Sequence, residues 1–215
     1  TKMNGKYPMK ILALEFSSRQ RSVAVTTGST PLAVTTTDNI KTGPMVLIND
    51  ALTQAKTERA DINLIAVGIG PGSYTGIRSA IAIAQGWQLA REIQLCAISS
   101  AEVLAATAHS NGRRGKTHFI IDAQRNEYYH CTWELTDDEQ TEITPLSIIN
   151  VAKAAELESY GPDPIEFPCC EPLYPNATVL AQLADKQTNF IAGCDIEPIY
   201  LRQTDFTKAP PPRQL

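Results

Sequence analysis

The spacing of apolar and polar residues separates this chain into strands and helices before any motif is considered. Three short runs rich in Val, Thr, Leu and Ile come first, at residues 10–16, 22–27 and 32–37. Branched and small apolar side chains of this kind suit a pleated surface. Gly28-Ser29-Thr30-Pro31 lies between the second and third runs and has turn chemistry. Three strands with such short links predict an antiparallel meander. The period then changes. Met45, Ile48, Leu52 and Ala55 fall on one helical stripe, so residues 45–56 predict an amphipathic helix. Residues 63–68 predict a strand, 75–91 a helix, 94–98 a strand and 101–109 a helix. The order β-β-β-α-β-α-β-α predicts a mixed sheet with helical crossovers.

Asn111-Gly112-Arg113-Arg114-Gly115 is polar and turn-rich, as a domain boundary would be. A second cycle follows it, with strands at 117–123, 127–135 and 142–146 and a short helix at 151–158. Residues 161–175 hold five prolines and predict a loop or one short edge strand. Residues 178–186 predict a helix, with Val179, Leu180, Leu183 and Ala184 apolar. Both halves therefore open with a meander followed by a helix. That is the plan of the actin and sugar-kinase superfamily, a two-lobed α/β fold of RNase-H-like halves with a cleft between them. The expected division is a leader or disordered stretch at 1–9, a first lobe at 10–110 carrying the interface helices, a shortened second lobe at 116–207 and a Pro-rich disordered tail at 208–215.

Composition narrows the function. The chain has 215 residues, 43% hydrophobic and 20% charged, as a soluble globular protein has. No apolar run approaches the roughly 20 residues of a membrane span. A net charge of −4 argues against a chain that holds nucleic acid by itself. Cys96, Cys131, Cys169, Cys170 and Cys194 are odd in number and irregular in spacing, which predicts reduced thiols and a cytoplasmic setting. The vicinal pair Cys169-Cys170 reads as small buried residues rather than a redox couple.

The densest motif is the run from Ala66 to Arg78, where an apolar strand breaks into Gly68-Ile69-Gly70-Pro71-Gly72-Ser73-Tyr74-Thr75-Gly76. It lacks the Gly-Lys-Ser/Thr of a P-loop and the third Gly of a dinucleotide fingerprint. Ser73 and Thr75 are good N-cap types. Two readings remain, tight strand-to-helix packing and anion binding at a helix N-terminus, and packing is the commoner role. If a nucleotide binds, Glu15, Ser17, Gly70, Gly72, Ser73 and Asp122 are its candidate residues, with ATP or ADP and Mg²⁺ in a degenerate cleft. The other reading makes Glu15 a strand-end carboxylate lining a wet cleft. For Asp122, which shares a turn with Arg125 and Glu127, the other reading is a solvated hairpin with a local ion pair. His109, His118 and His130 form no His-x-x-x-His, no cysteine pair has zinc spacing, and no nucleophile elbow is present, so no catalytic or metal residue is assigned. The small residues Ala80, Ala82, Ala84, Gly86 and Ala90 let another helix approach. Met45, Ile48, Leu52, Ile77, Ala80, Ala84 and Trp87 are the candidate partner contacts. Packing of the same residues against the sheet is the alternative.

Four segments carry a resemblance. They are Ile11-Leu12-Ala13-Leu14-Glu15-Phe16-Ser17-Ser18, the glycine run from Ile65 to Arg78, Ile121-Asp122-Ala123-Gln124-Arg125-Asn126-Glu127-Tyr128-Tyr129, and Glu197-Pro198-Ile199-Tyr200-Leu201-Arg202. With Tyr174-Pro175-Asn176-Ala177, they resemble the successive signatures of the bacterial TsaB (YeaZ) family. The resemblance implies an actin-like accessory subunit that is usually not the catalyst. Its related partner TsaD carries the metal and forms N6-threonylcarbamoyladenosine on tRNA, and an ATPase, TsaE, joins them. It further implies pairing with TsaD, or with itself as a homodimer, through first-lobe helices. Contact with tRNA would be indirect and membranes would play no part. The chain departs from the family at Glu15-Phe16-Ser17, where Asp-Thr-Ser is usual, at Lys41-Thr42-Gly43-Pro44, where His-Ser is usual, and at Ala84-Gln85-Gly86, where Ala-Lys-Gly is common. An actin-like ATPase or small-molecule kinase is the rival reading. A protease lacks a nucleophile–base pair.

Overall fold

The computed structural model describes residues 8–162 and 169–201. The first sheet holds β1 (Lys10–Glu15), β2 (Arg21–Thr27), β3 (Thr30–Thr37), β4 (Leu64–Gly68) and β5 (Gln94–Ile98) in the order β3-β2-β1-β4-β5. β1, β2 and β3 form the expected antiparallel meander, and β4 and β5 extend it in parallel. Crossovers α1 (Pro44–Gln54) and α2 (Tyr74–Ala90) lie on one face, and α3 (Ser100–Ser110) follows β5. β1 and β4 are near-continuous apolar runs because both of their faces are covered. Leu12, Leu14, Ile65 and Val67 pack under α1 and α2. Ile11, Ala13, Leu64 and Ala66 face the other way.

The second sheet holds β6 (Gly115–Asp122), β7 (Glu127–Leu135), β8 (Gln140–Asn150), β9 (Ser159–Gly161) and β10 (Cys170–Pro172), ordered β10-β9-β6-β7-β8. Within the proline-rich stretch lies one short edge strand, β10, as expected, and it pairs in parallel with β9, which starts just before the stretch. α4 (Val151–Ala155) stops sooner than the pattern predicts, and β8 runs longer on both sides. Cys169 and Cys170 are half-buried rather than buried, and the Cys169 thiol donates to the Ala155 carbonyl at 3.3 Å. The expected tail at 208–215 and most of the expected leader lie outside the described residues.

Two helices cross between the sheets. α3 sets Ala101, Leu104, Ala105 and Ala108 against Phe119, Ile121 and Cys131 of the second sheet. In return α5 (Ala177–Asp185), from the far end of the chain, packs Ala177, Leu180, Ala181 and Ala184 on the first sheet. Asn176 caps it by accepting from Thr178 N–H at 2.7 Å, and Ser22 on β2 accepts from Ala177 N–H. The boundary legible at 111–115 therefore separates strands but not packing layers.

Beyond α5 the chain runs back as a strap. Ile191 N–H bonds to Leu95 C=O along the outer edge of β5, which covers an otherwise open strand edge. Gly193 is then clamped by two side chains of α2. Its N–H donates to Gln88 Oε1 at 2.7 Å, and its carbonyl accepts from Gln85 Nε2 at 2.8 Å. Gln85 stands where the family that the sequence resembles commonly has Lys, and this clamp is its structural use. Ile199 N–H then bonds to Ile69 C=O and brings Tyr200 beside α2. No helix among the described residues is long and apolar enough to cross a membrane.

Candidate functional site

The glycine loop is shaped by what lies beneath it. A side chain at Gly68 would collide with the Glu15 carboxylate, one at Gly72 with the Ser17 carbonyl and one at Gly76 with the Phe16 carbonyl. Gly72 also has φ +145°, where L side chains are rare. Ser73 N–H donates to Ser17 C=O at 2.6 Å, and its hydroxyl caps α2 by accepting from Gly76 N–H at 3.3 Å. The loop is thus pressed onto residues 15–17, the packing role of the two readings.

Glu15 is fully buried. Its Oε1 accepts from Ser17 N–H at 2.9 Å, and the Ser100 hydroxyl is shared between its two oxygens at 3.3 and 3.1 Å. Ser100 in turn accepts from Gly70 N–H. Burial pushes the Glu15 carboxyl above its usual range, and the hydrogen bonds from Ser17 and Ser100 pull against it. Glu15 ties β1, the glycine loop and the start of α3 together. Neither the Mg²⁺-holding role nor that of a wet, cleft-lining carboxylate fits this position, and Gly70 also lies outside the cleft lining.

A cleft of about 820 Å³ does open between the lobes. Ser17, Gly72, Ser73 and Asp122 line it. Asp122 is occupied by its own turn: one oxygen accepts from Gln124 N–H at 2.7 Å and the other from Gln124 Nε2 at 2.8 Å. Gln124, Arg125 and Asn126 all take left-handed backbone, with φ 64°, 60° and 59°. Each such residue costs about 1 kcal/mol, so this hairpin tip is held by its surroundings. Arg125 and Glu127 are not part of the lining.

Sequence reasoning passed over the cleft's aromatic and cationic residues. Tyr74 is 58% exposed at its mouth. The Arg78 guanidinium lies 4.6 Å from the Tyr74 ring centroid, and Tyr200 stacks on the same ring at 5.5 Å. Tyr74 and Arg78 stand four apart on a helix, a spacing that makes such pairs meet and could have flagged them. Tyr200 arrives only through the strap, for which the sequence offers no local sign. Arg19 and Tyr129 complete the wall.

The helix faces also need correction. Ile48, Leu52, Ile77, Ala80 and Ala84 are buried against the first sheet, so none of these five is an outward contact surface, while Trp87 is half-buried there. Ile77, Ala80, Ile81 and Ala84 form the inner stripe of α2. The outer stripe is Arg78, Ala82, Gly86 and Leu89, with Leu89 91% exposed. On α1 the outward apolar residues are Met45, retained from the sequence reading, and Val46. A methyl group added at Gly86 would meet no atom of the described residues within 4 Å, so packing among them does not require this glycine.

The second sheet carries a polar pair that no linear motif announces. His118 Nδ1 and His130 Nε2 lie 3.1 Å apart, with the rings within 20° of parallel. Thr132 Oγ1 is 3.0 Å from the first nitrogen and 3.4 Å from the second. Strand register creates the group, since His118 sits opposite Thr132 and the ladder places His130 two residues away. Burial lowers the pKa of both imidazoles, that of His130 to about 4; Lys116 adds to the effect on His118, and His118, Lys153 and Lys116 add to that on His130. Among the described residues no three His, Cys, Asp or Glu side chains gather to hold a metal.

Comparison with known proteins gives this geometry a family. A family model described as TsaD, tRNA N6-adenosine threonylcarbamoyltransferase, matches residues 10–194. The chain is 35% identical over 88 residues to the tRNA threonylcarbamoyladenosine biosynthesis protein TsaB of Escherichia coli (strain K12), covering 41% of this chain and 38% of that protein. Its match to the Bacillus subtilis (strain 168) protein of the same name is 28% over 164 residues, 74% of this chain and 70% of that one. It thus aligns with less than two thirds of the length of the E. coli relative. YeaZ from Pseudomonas aeruginosa superposes with a TM-score of 0.75 at 23% identity, covering 90% of this chain and all of that one. A second P. aeruginosa structure, titled as having similarity to peptidase YEAZ, gives 0.76. The superpositions show that the two-lobed fold is shared with these proteins. With a family model matched from β1 into the strap, and TsaB proteins among its relatives, this chain belongs to the TsaB (YeaZ) family, within the wider group that the TsaD model describes.

Proposed function

We propose that this protein is a non-catalytic accessory subunit in the formation of N6-threonylcarbamoyladenosine on tRNA. It docks the outer faces of α1 and α2 on a TsaD-type catalytic subunit. Family membership supplies the pathway. The observation that carries the docking mode is Gly86: a glycine inside a helix costs about 1 kcal/mol against alanine, and here nothing among the described residues needs it. Ala82, exposed one turn earlier, widens the same bare strip, and Leu89, Met45 and Val46 flank it with apolar surface. A helix backbone can approach such a strip closely, and exposed apolar side chains around it then bury against the partner.

The test is light scattering on the chain alone and mixed with the TsaD-type subunit of its own organism. A mixed complex at micromolar concentration is the expected result, and Gly86→Glu or Leu89→Glu abolishes it while leaving the fold intact. Failure to associate at that concentration removes the accessory reading. A complex indifferent to both substitutions keeps the partner but moves the interface elsewhere. A TsaE-type ATPase added to the pair, and self-association of the chain alone, are read in the same experiment.

A further inference from the structure

The two ends of α2 are held in different ways. Up to Ala84 the helix grips the first sheet through Ile77, Ala80, Ile81 and Ala84. After Ala84 no residue of the helix is fully buried. Trp87 is half-buried, and Gly86, Leu89 and Ala90 face solvent. Apolar burial therefore does little to fix the end of the helix that carries the bare strip. Polar tethers take its place. The Arg91 guanidinium, just past the helix, donates to the Ala60 carbonyl at 2.8 Å, in the segment after α1. The strap supplies the rest, because the Gln85 and Gln88 amides close on the two backbone groups of Gly193. Gln88 is engaged at both ends of its amide, since its Nε2 donates to Ile93 C=O at 3.3 Å.

The strap is itself anchored on both sides of that clamp. Ile191 bonds to the edge of β5 and packs on the core beneath α1 and α2, and Ile196 is buried in the same core. Gly193 is fitted to the clamp rather than to a turn. Its backbone lies outside the left-handed region, so conformation does not demand a glycine. Space does. A Cβ at this position would fall 2.8 Å from Gln88 Oε1 and 3.3 Å from Gln85 Cγ.

We infer that Gln85 and Gln88 are positioning residues, through which the strap fixes the Gly86–Leu89 end of α2 in the orientation that the partner subunit meets. The inference rests on the docking mode proposed above. A face that is already fixed loses less freedom on binding, so the strap favours the complex without touching the partner.

Two measurements on the full chain test it. The first needs no partner and follows hydrogen exchange at the backbone amides of residues 87–91. Replacing both glutamines, Gln85→Ala with Gln88→Ala, speeds exchange there about tenfold and leaves β4 protected. Unchanged exchange at 87–91 overturns the inference. The second is calorimetric titration with the TsaD-type subunit. The double variant binds about tenfold more weakly, the ordering cost of a few side chains. Gly193→Ala, which displaces the clamp and leaves the sequence of α2 intact, has the same effect. Combining the two is no worse than either, because both cut one link. Fully additive losses would mean that the glutamines touch the partner themselves, and overturn the positioning role. Gln88→Glu keeps the acceptor for Gly193 N–H and binds better than Gln88→Ala. Gln85→Glu sets a carboxylate against the Gly193 carbonyl and binds no better than Gln85→Ala. A wild-type chain that does not bind removes the docking mode and this inference with it. A wild-type chain that binds, with the double variant binding equally well, removes this inference alone.

Discussion

The two sheets hold five strands each, yet they are covered very differently. The first is enclosed, with α1 and α2 on one face and α5 on the other, and its central strands are apolar on both sides. The second is enclosed on one face only, by α3. Its other face has the short helix α4 and a small cluster of Ile120, Ile149 and Ala154. That thinner cover is where His118, His130, Thr132 and the Ser159 hydroxyl, which has no hydrogen-bond partner among the described residues, are found. A fully enclosed sheet leaves little tolerance for polar side chains in its middle, whereas a lightly covered one can retain them as a hydrogen-bonded group. The enclosed sheet supplies the rigid floor for the glycine loop and the outward helix faces. The other sheet contributes the hairpin tip that closes the cleft.

The largest test of this contrast is at the point of closest packing. Gly76→Val would drive a side chain into the Phe16 carbonyl, which belongs to the backbone and cannot swing away. A loss of about 4 kcal/mol is expected in urea unfolding. A loss below about 1 kcal/mol would mean that the glycine loop is not pinned to β1. Ile65→Ala, at the centre of the enclosed sheet, should cost about 3 kcal/mol. Ile149→Ala, under α4, should cost about half that because the thin layer can collapse around the gap. Equal losses would erase the distinction between the sheets.

A third test uses pH. The folded state holds His130 near pKa 4, below the ordinary 6.5 of the unfolded chain. Above pH 6.5 the ring is neutral in both states and contributes no pH dependence. As pH falls through 6.5 the unfolded chain takes up a proton that the folded chain refuses, so stability declines until about pH 4 and then levels off. His118, lowered in the same direction, adds to the slope. A loss of about 2 kcal/mol between pH 7 and pH 4 is expected in urea titrations, and His130→Gln should flatten it. A wild-type profile as flat as the variant's would show that water reaches the pair. The smallest effect is Gly86→Ala, which should stabilise the isolated chain by about 0.7 kcal/mol in thermal melts. A destabilisation would reveal an intrachain contact at the outer face of α2.

Much of the first sheet was legible because its signals are local. The Val- and Thr-rich runs give β2 and β3, Ser73 gives the start of α2, and the glycine run gives the strand-to-helix turn. What stayed hidden depends on distant pairing. Glu15 looks like a cleft residue in sequence because it ends a strand. Only the seat formed by Gly68, with Ser100 from the next helix along, shows it to be interior. Alanines occur on both stripes of α2, so residue size alone could not tell Ala80 and Ala84, which face the sheet, from Ala82 and Gly86, which face out. The large Ile77 and Ile81 beside the former were the usable sign. β9 is three residues long, too short for any periodicity, and exists because β6 offers an edge. The histidine pair is a product of strand register, and Tyr200 reaches the cleft through the strap.

The return of α5 to the first sheet sets an order of events during synthesis. β1, β4 and their neighbours emerge early, but the face formed by Ile11, Ala13, Leu64 and Ala66 has no helix to cover it until residues 177–185 have left the ribosome. Until then the nascent chain carries a bare apolar sheet face, the kind of surface that chaperones hold and that aggregates when unattended. The first lobe of this protein can therefore be completed only after the second has been made.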